Sequence, residues 1–270
     1  MKYVVCYSGG HSSAIAAVEV ARRYGKENVV LLNHNINDRV EDADVKRFKQ
    51  EVADYLDIPI TYANMPDWDT KDQFDICVEN NAFKYGIQSS AICTRKFKTE
   101  PFVKWLTENY PVEKGKIRDD VKIVYGFDKS EEVRITRRVG IMAAMGYMTE
   151  YPMLWDDRTI YNIEEIGIVR PLIYDIFKHA NCKGCLKAGK QHWFIIYCLY
   201  PEIWERAKWA EAEIGHSILK GSFLEEYENE WKVLKEKNFP TTEKIIPQKF
   251  WAKARKILAE DDVLPCECSF

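Results

Sequence analysis

The run Val4-Val5-Cys6-Tyr7-Ser8-Gly9-Gly10-His11-Ser12-Ser13 decides how this chain is read. Residues 3–7 are short, apolar and β-branched, the composition of a strand buried on both faces. Residues 14–24 follow with alanines and with Ile15, Val18, Ala21 and Arg22 on adjacent turns, an amphipathic helix pattern. Two glycines and three serines lie between. Glycine lets the backbone turn sharply and approach a ligand. Hydroxyls, together with the N–H groups at a helix start, make an anion site. The stretch predicts a bound phosphate, and hence a nucleotide, without needing a lysine. A serine-capped helix after a glycine turn is the plainer reading of the same residues; the flanking strand and helix favour the phosphate loop.

The alternation continues outward. Residues 29–32 read as a second strand and 43–56 as a charged amphipathic helix with aspartates near Ala43 to cap it. Residues 58–63 read as a third strand entered through Pro59, and 121–125 as another that ends at Gly126. Such alternation predicts an α/β fold, a mainly parallel sheet covered by helices on both faces, with ligands beyond the carboxyl ends of the strands. Residues 8–13, 33–35 and 126 onward all follow strand ends, so they are expected to converge on one crevice.

From about Glu164 the character changes. Residues 169–173, with Pro171, suggest a short extended piece; then come Cys182-Lys183-Gly184-Cys185 and helical patterns over 191–199, 202–215, 223–237 and 248–258. Two regions are expected, a nucleotide-binding α/β domain over 1–165 and a C-terminal cysteine-containing helical region over 166–270 packed on it. The Trp and Tyr residues of that second region are expected to form core in preference to a base-stacking platform.

A formal charge of −3 over 270 residues argues against a uniformly basic nucleic-acid surface. Local basic clusters remain at Arg95, Lys96 and Lys98, at Arg137 and Arg138, and at Lys183, Lys187 and Lys190. The chain opens on a strand pattern instead of a charged-then-apolar leader, and no apolar run approaches the length of a membrane helix, so a cytoplasmic protein with no membrane partner is expected. In that compartment eight cysteines point to metal ligands, redox groups or buried small hydrophobes before disulfides. The spacing Cys182-x-x-Cys185 lets two thiolates from one turn bind the same metal or cluster, although a redox dithiol has the same spacing. Cys93 precedes Arg95 and Lys96, whose charge favours a thiolate. Cys266 and Cys268 stand in the last residues, and Cys93, Cys182, Cys185 and one of Cys266 or Cys268 would complete a four-thiolate set. Cys6, Cys77 and Cys198 lie within apolar patterns and read as buried hydrophobes. His11 sits inside the loop, where it either touches phosphate or faces solvent. His34, His179, His192 and His216 have no metal-ligand spacing with one another, which disfavours a histidine-based zinc hydrolase.

Four stretches together resemble the phosphoadenosine phosphosulfate (PAPS) reductase-like, ATP pyrophosphatase branch of the PP-loop superfamily, the adenine nucleotide alpha hydrolases. Ser8-Gly9-Gly10-His11-Ser12-Ser13 is similar to the PP-loop S-G-G-x-D-S, and Cys93-Thr94-Arg95-Lys96 running to Pro101 resembles the branch's cysteine, basic residues and proline. The run from Gly126 through Glu131 to Arg134 resembles its glycine, acidic and arginine motif, and Cys182-Lys183-Gly184-Cys185 with Trp193 and Tyr200-Pro201 resembles its late C-x-x-C and helical sequel. Order and approximate spacing agree over residues 3–215. The resemblance implies a Rossmann-like, doubly wound PP-loop fold with a C-terminal helical extension. It implies that Ser8, Gly9, Gly10, Ser12 and Ser13 cradle phosphate, that Asn33 and Asn35 approach the adenosine, and that Arg134, oriented by Glu131, meets an anionic nucleotide group. A helix-face ion pair is the other reading of Glu131 and Arg134.

By the same resemblance the expected activity is an ATP pyrophosphatase that adenylates an acceptor for sulfur transfer, of the nucleic-acid thiolation or DNA phosphorothioation type. A 4Fe–4S cluster on Cys93, Cys182, Cys185 and Cys266 or Cys268 is implied, with zinc as the alternative. A cysteine desulfurase or thiol carrier protein is the implied partner, and DNA or tRNA the implied acceptor. The competing expectation is a phosphoadenylyl or adenylyl sulfate reductase in which Cys268 or Cys266 attacks sulfur and sulfite is released. A third is a non-catalytic nucleotide-binding protein with structural zinc. The departures bear on this choice. Ser12 stands where many ATP pyrophosphatase loops have aspartate, which removes a carboxylate for Mg²⁺, and Ile92-Cys93 stands where cluster-bearing reductases have adjacent cysteines.

Overall fold

The structure, a computed structural model, describes residues 1–84 and 91–261. In chain order it contains β1 (Lys2–Cys6), α1 (His11–Tyr24), β2 (Val29–Asn33), α2 (Ala43–Leu56), β3 (Ile60–Tyr62) and α3 (Gln73–Glu79). Next come a single turn α4 (Ile92–Thr94), a π-helical stretch Arg95–Thr99, α5 (Glu100–Asn109), β4 (Arg118–Val124), α6 (Glu132–Ala144) and β5 (Tyr147–Glu150). Helices α7 (Lys190–Leu199), α8 (Pro201–Ile214), α9 (Glu228–Glu236) and α10 (Pro247–Asp261) follow.

Contacts along the chain divide it into two compact units. The first is Met1–Thr70 with Thr94–Ile173, and the second is Lys71–Cys93 with the chain from Tyr174 onward. The division differs from one at residue 165 in two respects: the later boundary falls after Ile173, and residues 71–93 go with the C-terminal helices.

The first unit is built on a five-stranded sheet in the order β3-β2-β1-β4-β5. Every pairing is parallel, with Val4 beside both Val30 and Ile123, Leu32 beside Thr61, and Ile123 beside Thr149. Because side chains alternate along a strand, β1 feeds two cores. Tyr3, Val5 and Tyr7 pack with Ile15 and Val18 of α1 and with Phe48 and Val52 of α2. Val4 packs on the other face with Ile123, with Phe102 and Leu106 of α5, and with Met142 of α6. Burial of each such side chain contributes roughly 1.5–3 kcal/mol, and a parallel sheet needs both faces covered. This is the expected doubly wound α/β fold, with all strands parallel.

Local signals place the element ends. Asp42 caps α2 by accepting the Asp44 N–H at 3.0 Å. Asp72 and Asp75 form a reciprocal cap at the start of α3. The third strand is shorter than residues 58–63 because the Ile58 N–H is held by the Ala53 carbonyl of the preceding helix and Pro59 has no N–H to give to a ladder. Residues 169–173 are not a strand; Leu172–Asp175 form a 3₁₀ turn. The helical pattern over 223–237 is divided into a 3₁₀ turn, Leu224–Tyr227, and α9.

In the second unit Trp193, Trp204, Trp231, Phe194 and Phe250 are all buried. The Trp204 and Trp231 ring centres are 5.2 Å apart, and Phe194 meets Trp231 edge-on. Its 71–93 segment is fastened to the C-terminal helices by Arg206, which donates to Asp72 at 2.6 Å and to Asp75 at 2.7 Å. Among the described residues, no helix is long and apolar enough to cross a membrane.

Candidate functional site

The chain leaves β1 through Tyr7, buried and donating its hydroxyl to the Lys49 carbonyl at 3.0 Å. Ser8 is exposed and its Oγ donates to Ser13 Oγ at 3.2 Å, while Ser13 Oγ donates to the Gly10 carbonyl at 2.8 Å. Helix α1 begins at His11, three residues before the pattern in residues 14–24, so His11, Ser12 and Ser13 form its first turn. Gly10 is its N-cap in extended backbone, with no side-chain cap on the helix start. The positive end of the helix dipole therefore faces the loop.

Gly9 has a φ of +78°, and a Cβ there would lie 2.7 Å from Lys49 Cγ. Only glycine fits both the dihedral and the space. Gly126, just past the end of β4, is confined differently: a Cβ on it would lie 2.6 Å from the Ser12 carbonyl oxygen and 2.8 Å from the Ser13 nitrogen. The loops after β1 and β4 are thus in backbone contact. Strands β1 and β4 are neighbours whose following helices cover opposite faces of the sheet. That is the topological switch point, where open α/β sheets bind ligands.

The loop after β2 reaches the same edge. The buried Asn33 donates its amide to the Tyr7 carbonyl, and its Oδ1 accepts from Lys49 Nζ at 3.3 Å, so both ends of the side chain tie β1, β2 and α2 together. His34 Nδ1 donates to the Ala63 carbonyl, and burial pushes the imidazole down to about 4, that hydrogen bond opposing. The Asn35 N–H is taken by Asn64 Oδ1 at 2.8 Å. His11 accepts the Ile163 N–H on Nε2 at 3.3 Å, with Glu164 4.0 Å away. Burial lowers its pKa against the pull of Glu164, so His11 is a neutral ring at neutral pH.

Beyond β4, Glu131 accepts the Asp128 N–H at 3.3 Å and pairs with Arg134, whose guanidinium lies 4.2 Å from the Phe127 ring centre. The ion pair is present, between an exposed Arg134 and a half-buried Glu131.

Lys49 and Glu41 are the residues sequence reasoning missed. The Lys49 side chain is 2% exposed and its ammonium pairs with Glu41 Oε1 at 2.9 Å; burial lowers its pKa while Glu41 holds it up. Its stem is the surface against which Gly9 turns. The available signal was a lysine among the inward positions Val45, Phe48, Val52, Ala53 and Leu56 of α2. Lys98 lies close enough to depress the pKa of both His34 and Lys49, which brings one cation of the Arg95–Lys98 cluster to the carboxyl end of β2.

In the second unit, Cys182-Lys183-Gly184-Cys185 is a turn. Gly184 has a φ of +68°, with Ile203 2.7 Å and Phe74 3.1 Å from where its Cβ would be. Gln73 of α3 donates to the Lys183 carbonyl at 2.8 Å. One helical turn further along α3, the Cys77 thiol is fully buried, its pKa raised by burial and by the neighbouring Cys93. Helix α3 thus touches both the Cys182–Cys185 turn and the Cys93 segment. Burial also pushes Cys6 up to about 12 and Cys198 up to about 11, so all three cysteines read as structural hold a proton at neutral pH. Cys93, Cys182 and Cys185 are half-buried. Among the described residues, no group of three or more His, Cys, Asp and Glu side chains is arranged to hold a metal ion. Cys266 and Cys268, expected as fourth ligand or nucleophile, lie outside the described residues.

The chain matches no family model and no curated protein.

Proposed function

We propose that this chain binds an adenine nucleotide with its phosphates on residues 8–13 and cleaves ATP between the α- and β-phosphates to activate an acceptor for sulfur transfer. The observation that carries the reading is the close approach of Gly126 to the first turn of α1, which joins the loop after β4 to an uncapped helix start at the switch point. In this reading an acceptor oxygen attacks the α-phosphorus and the bond to the bridging oxygen breaks. Pyrophosphate leaves with that electron pair. A sulfur nucleophile then displaces AMP from the acceptor. The N–H groups at the start of α1 and the hydroxyls of Ser8, Ser12 and Ser13 would stabilise the leaving pyrophosphate. Lys49, behind Gly9, adds a fixed positive charge to the field at the loop, partly offset by Glu41.

Cys182 and Cys185 offer two thiolates from one turn to a cluster or to zinc, which when bound would hold or deliver the sulfur. The described residues supply no third ligand, so every step above rests on the loop.

The loop has no carboxylate for Mg²⁺, and this favours a second reading, a sulfonucleotide reductase that cleaves no ATP. Incubation of the protein with α-labelled ATP, and separately with phosphoadenylyl sulfate plus a dithiol, separates the two. With water standing in for the acceptor oxygen, AMP and pyrophosphate in equal amounts are expected from ATP. Sulfite from the sulfonucleotide with ATP untouched would replace the first reading by the second.

A further inference from the structure

We infer that Arg170, carried to the start of α1 on the segment 163–172, is a phosphate-binding residue of the candidate site and grips the phosphate chain of its nucleotide. The inference rests on the reading of residues 8–13 as a phosphate site, and holds whichever bond of the nucleotide is cleaved. All the residues concerned belong to the first unit.

Hydrogen bonds fasten the segment on either side of Arg170. At its start the Ile163 N–H donates to His11 Nε2 at 3.3 Å, and His11 is the first residue of α1. Further along, Arg47 of α2 donates to the Val169 carbonyl at 3.1 Å, and the Leu172 N–H donates at 2.7 Å to Asp44 in the first turn of that helix. Pro171 disfavours helical backbone at Arg170 itself. The main chain is therefore held in place, and the side chain is the part with freedom to turn towards a ligand.

That side chain stands beside the loop with most of its donors unused. Arg170 Nε donates to Glu164 Oε1 at 2.6 Å, and Glu164 Oε2 is 4.0 Å from His11 Nε2, so one carboxylate bridges the guanidinium to the first turn of α1. Burial lowers the His11 pKa, Glu164 opposes it, and the charge of Arg170 lowers it further, which puts that charge within electrostatic reach of the loop. Among the described residues Nε is the one guanidinium nitrogen with a hydrogen-bond partner, so both Nη groups are left to match a phosphate. The pair with Glu164 joins side chains 51% and 41% exposed, and such a pair is weak. A phosphate chain at the uncapped start of α1 carries more charge than one carboxylate and has the helix dipole behind it, so it displaces Glu164. The charge also answers a deficit. Residues 8–13 hold no lysine or arginine, and Lys49 sits behind Gly9 paired with Glu41. Arg134, the cation after β4, is held by Glu131 and lies 4.2 Å from the Phe127 ring centre.

The test is titration calorimetry of the full chain with ATP, inorganic pyrophosphate and adenosine. Arg170→Met should weaken ATP and pyrophosphate by about tenfold, while adenosine binding stays within about twofold. Arg170→Lys, which keeps the charge and loses the fork, should recover part of the loss. Glu164→Gln, which frees the guanidinium, should tighten ATP by about threefold, and the gain should shrink when Arg170→Met is added. Urea unfolding should be unchanged in each variant, because the pair is exposed. Wild-type affinity for ATP and pyrophosphate in Arg170→Met would overturn the inference alone. So would an equal loss for adenosine, which would make the segment a prop for the whole site, or a Glu164→Gln gain undiminished without Arg170. A wild-type protein that binds neither ATP nor pyrophosphate would overturn the phosphate reading of residues 8–13, and this inference with it.

Discussion

At residues 8–13 and at residues 182–185 a glycine with positive φ turns the chain against a buried neighbour, Gly9 against the stem of Lys49 and Gly184 against Ile203 and Phe74. The first neighbour comes from the next helix of an alternating β/α chain. The second set comes from segments far apart, as the hydrogen bond from Gln73 to Lys183 illustrates. A glycine loop at a strand end inherits its surroundings from sheet topology. A cysteine turn in a helical unit has surroundings that no local pattern dictates. The two also stabilise themselves differently: the first unit buries a lysine with a glutamate under its loop, the second clamps two aspartates of one segment with a single arginine.

That comparison can be broken at its buried charges. Lys49→Met leaves Glu41 without its main partner in a site where the lysine is 2% exposed, and should cost about 3–5 kcal/mol in urea unfolding. Adding Glu41→Leu should restore most of the loss; a double variant as unstable as the single would show that the pair is not the linchpin of the loop. Arg206→Met strands Asp72, which has no exposed surface, and should cost about 3 kcal/mol, the partial exposure of the arginine softening the effect. If it costs nothing, the 71–93 segment is held by its apolar contacts alone.

His34 supplies a pH-dependent measure of the first unit alone. Its folded pKa of about 4 lies below the ordinary value of 6.5, so the folded state resists protonation and the stability is fully present above pH 6.5. As pH falls from 6.5 towards 4, about 3 kcal/mol is lost. His34→Asn, which keeps a donor for the Ala63 carbonyl, should flatten the unfolding free energy across that window. An unchanged slope would place the titration elsewhere.

Smaller effects test the crevice itself. Gly126→Ala sets a methyl 2.6 Å from the Ser12 carbonyl and should cost about 1–3 kcal/mol, with a larger proportional loss of ATP affinity by calorimetry if the nucleotide sits at this contact. Arg134→Ala should change stability by less than about 0.5 kcal/mol, because the arginine of its ion pair with Glu131 is exposed to solvent. A much larger fall in nucleotide affinity in the same variant would assign Arg134 to the ligand.

What could be read beforehand has a common physical basis. Residues 3–7 and 29–32 are short β-branched runs, and residues 43–56 repeat their apolar positions with helical period, so strand and helix follow from local side-chain pattern alone. Helix α6 and strand β5 escaped that reading. Only Met142 of α6 is buried, leaving Val133 and Val139 exposed, and β5 is an edge strand of four residues. Lys49 escaped because a lysine on an inward position is ordinarily carried to the surface by its long stem. Here Glu41 and Asn33 hold the ammonium inside.

The sequence by itself determined the alternating strands and helices and the glycine turn after β1, because each depends on residues close together in the chain. Tertiary structure decided the rest. Only folding puts the loop after β1 at the switch point, sets Gly126 against Ser12, draws Lys49 beneath Gly9, and assigns residues 71–93 to the unit that carries Cys182 and Cys185. Those arrangements rest on close packing and on pairing of buried charge between segments distant in sequence, and neither is encoded in the period or composition of any one segment.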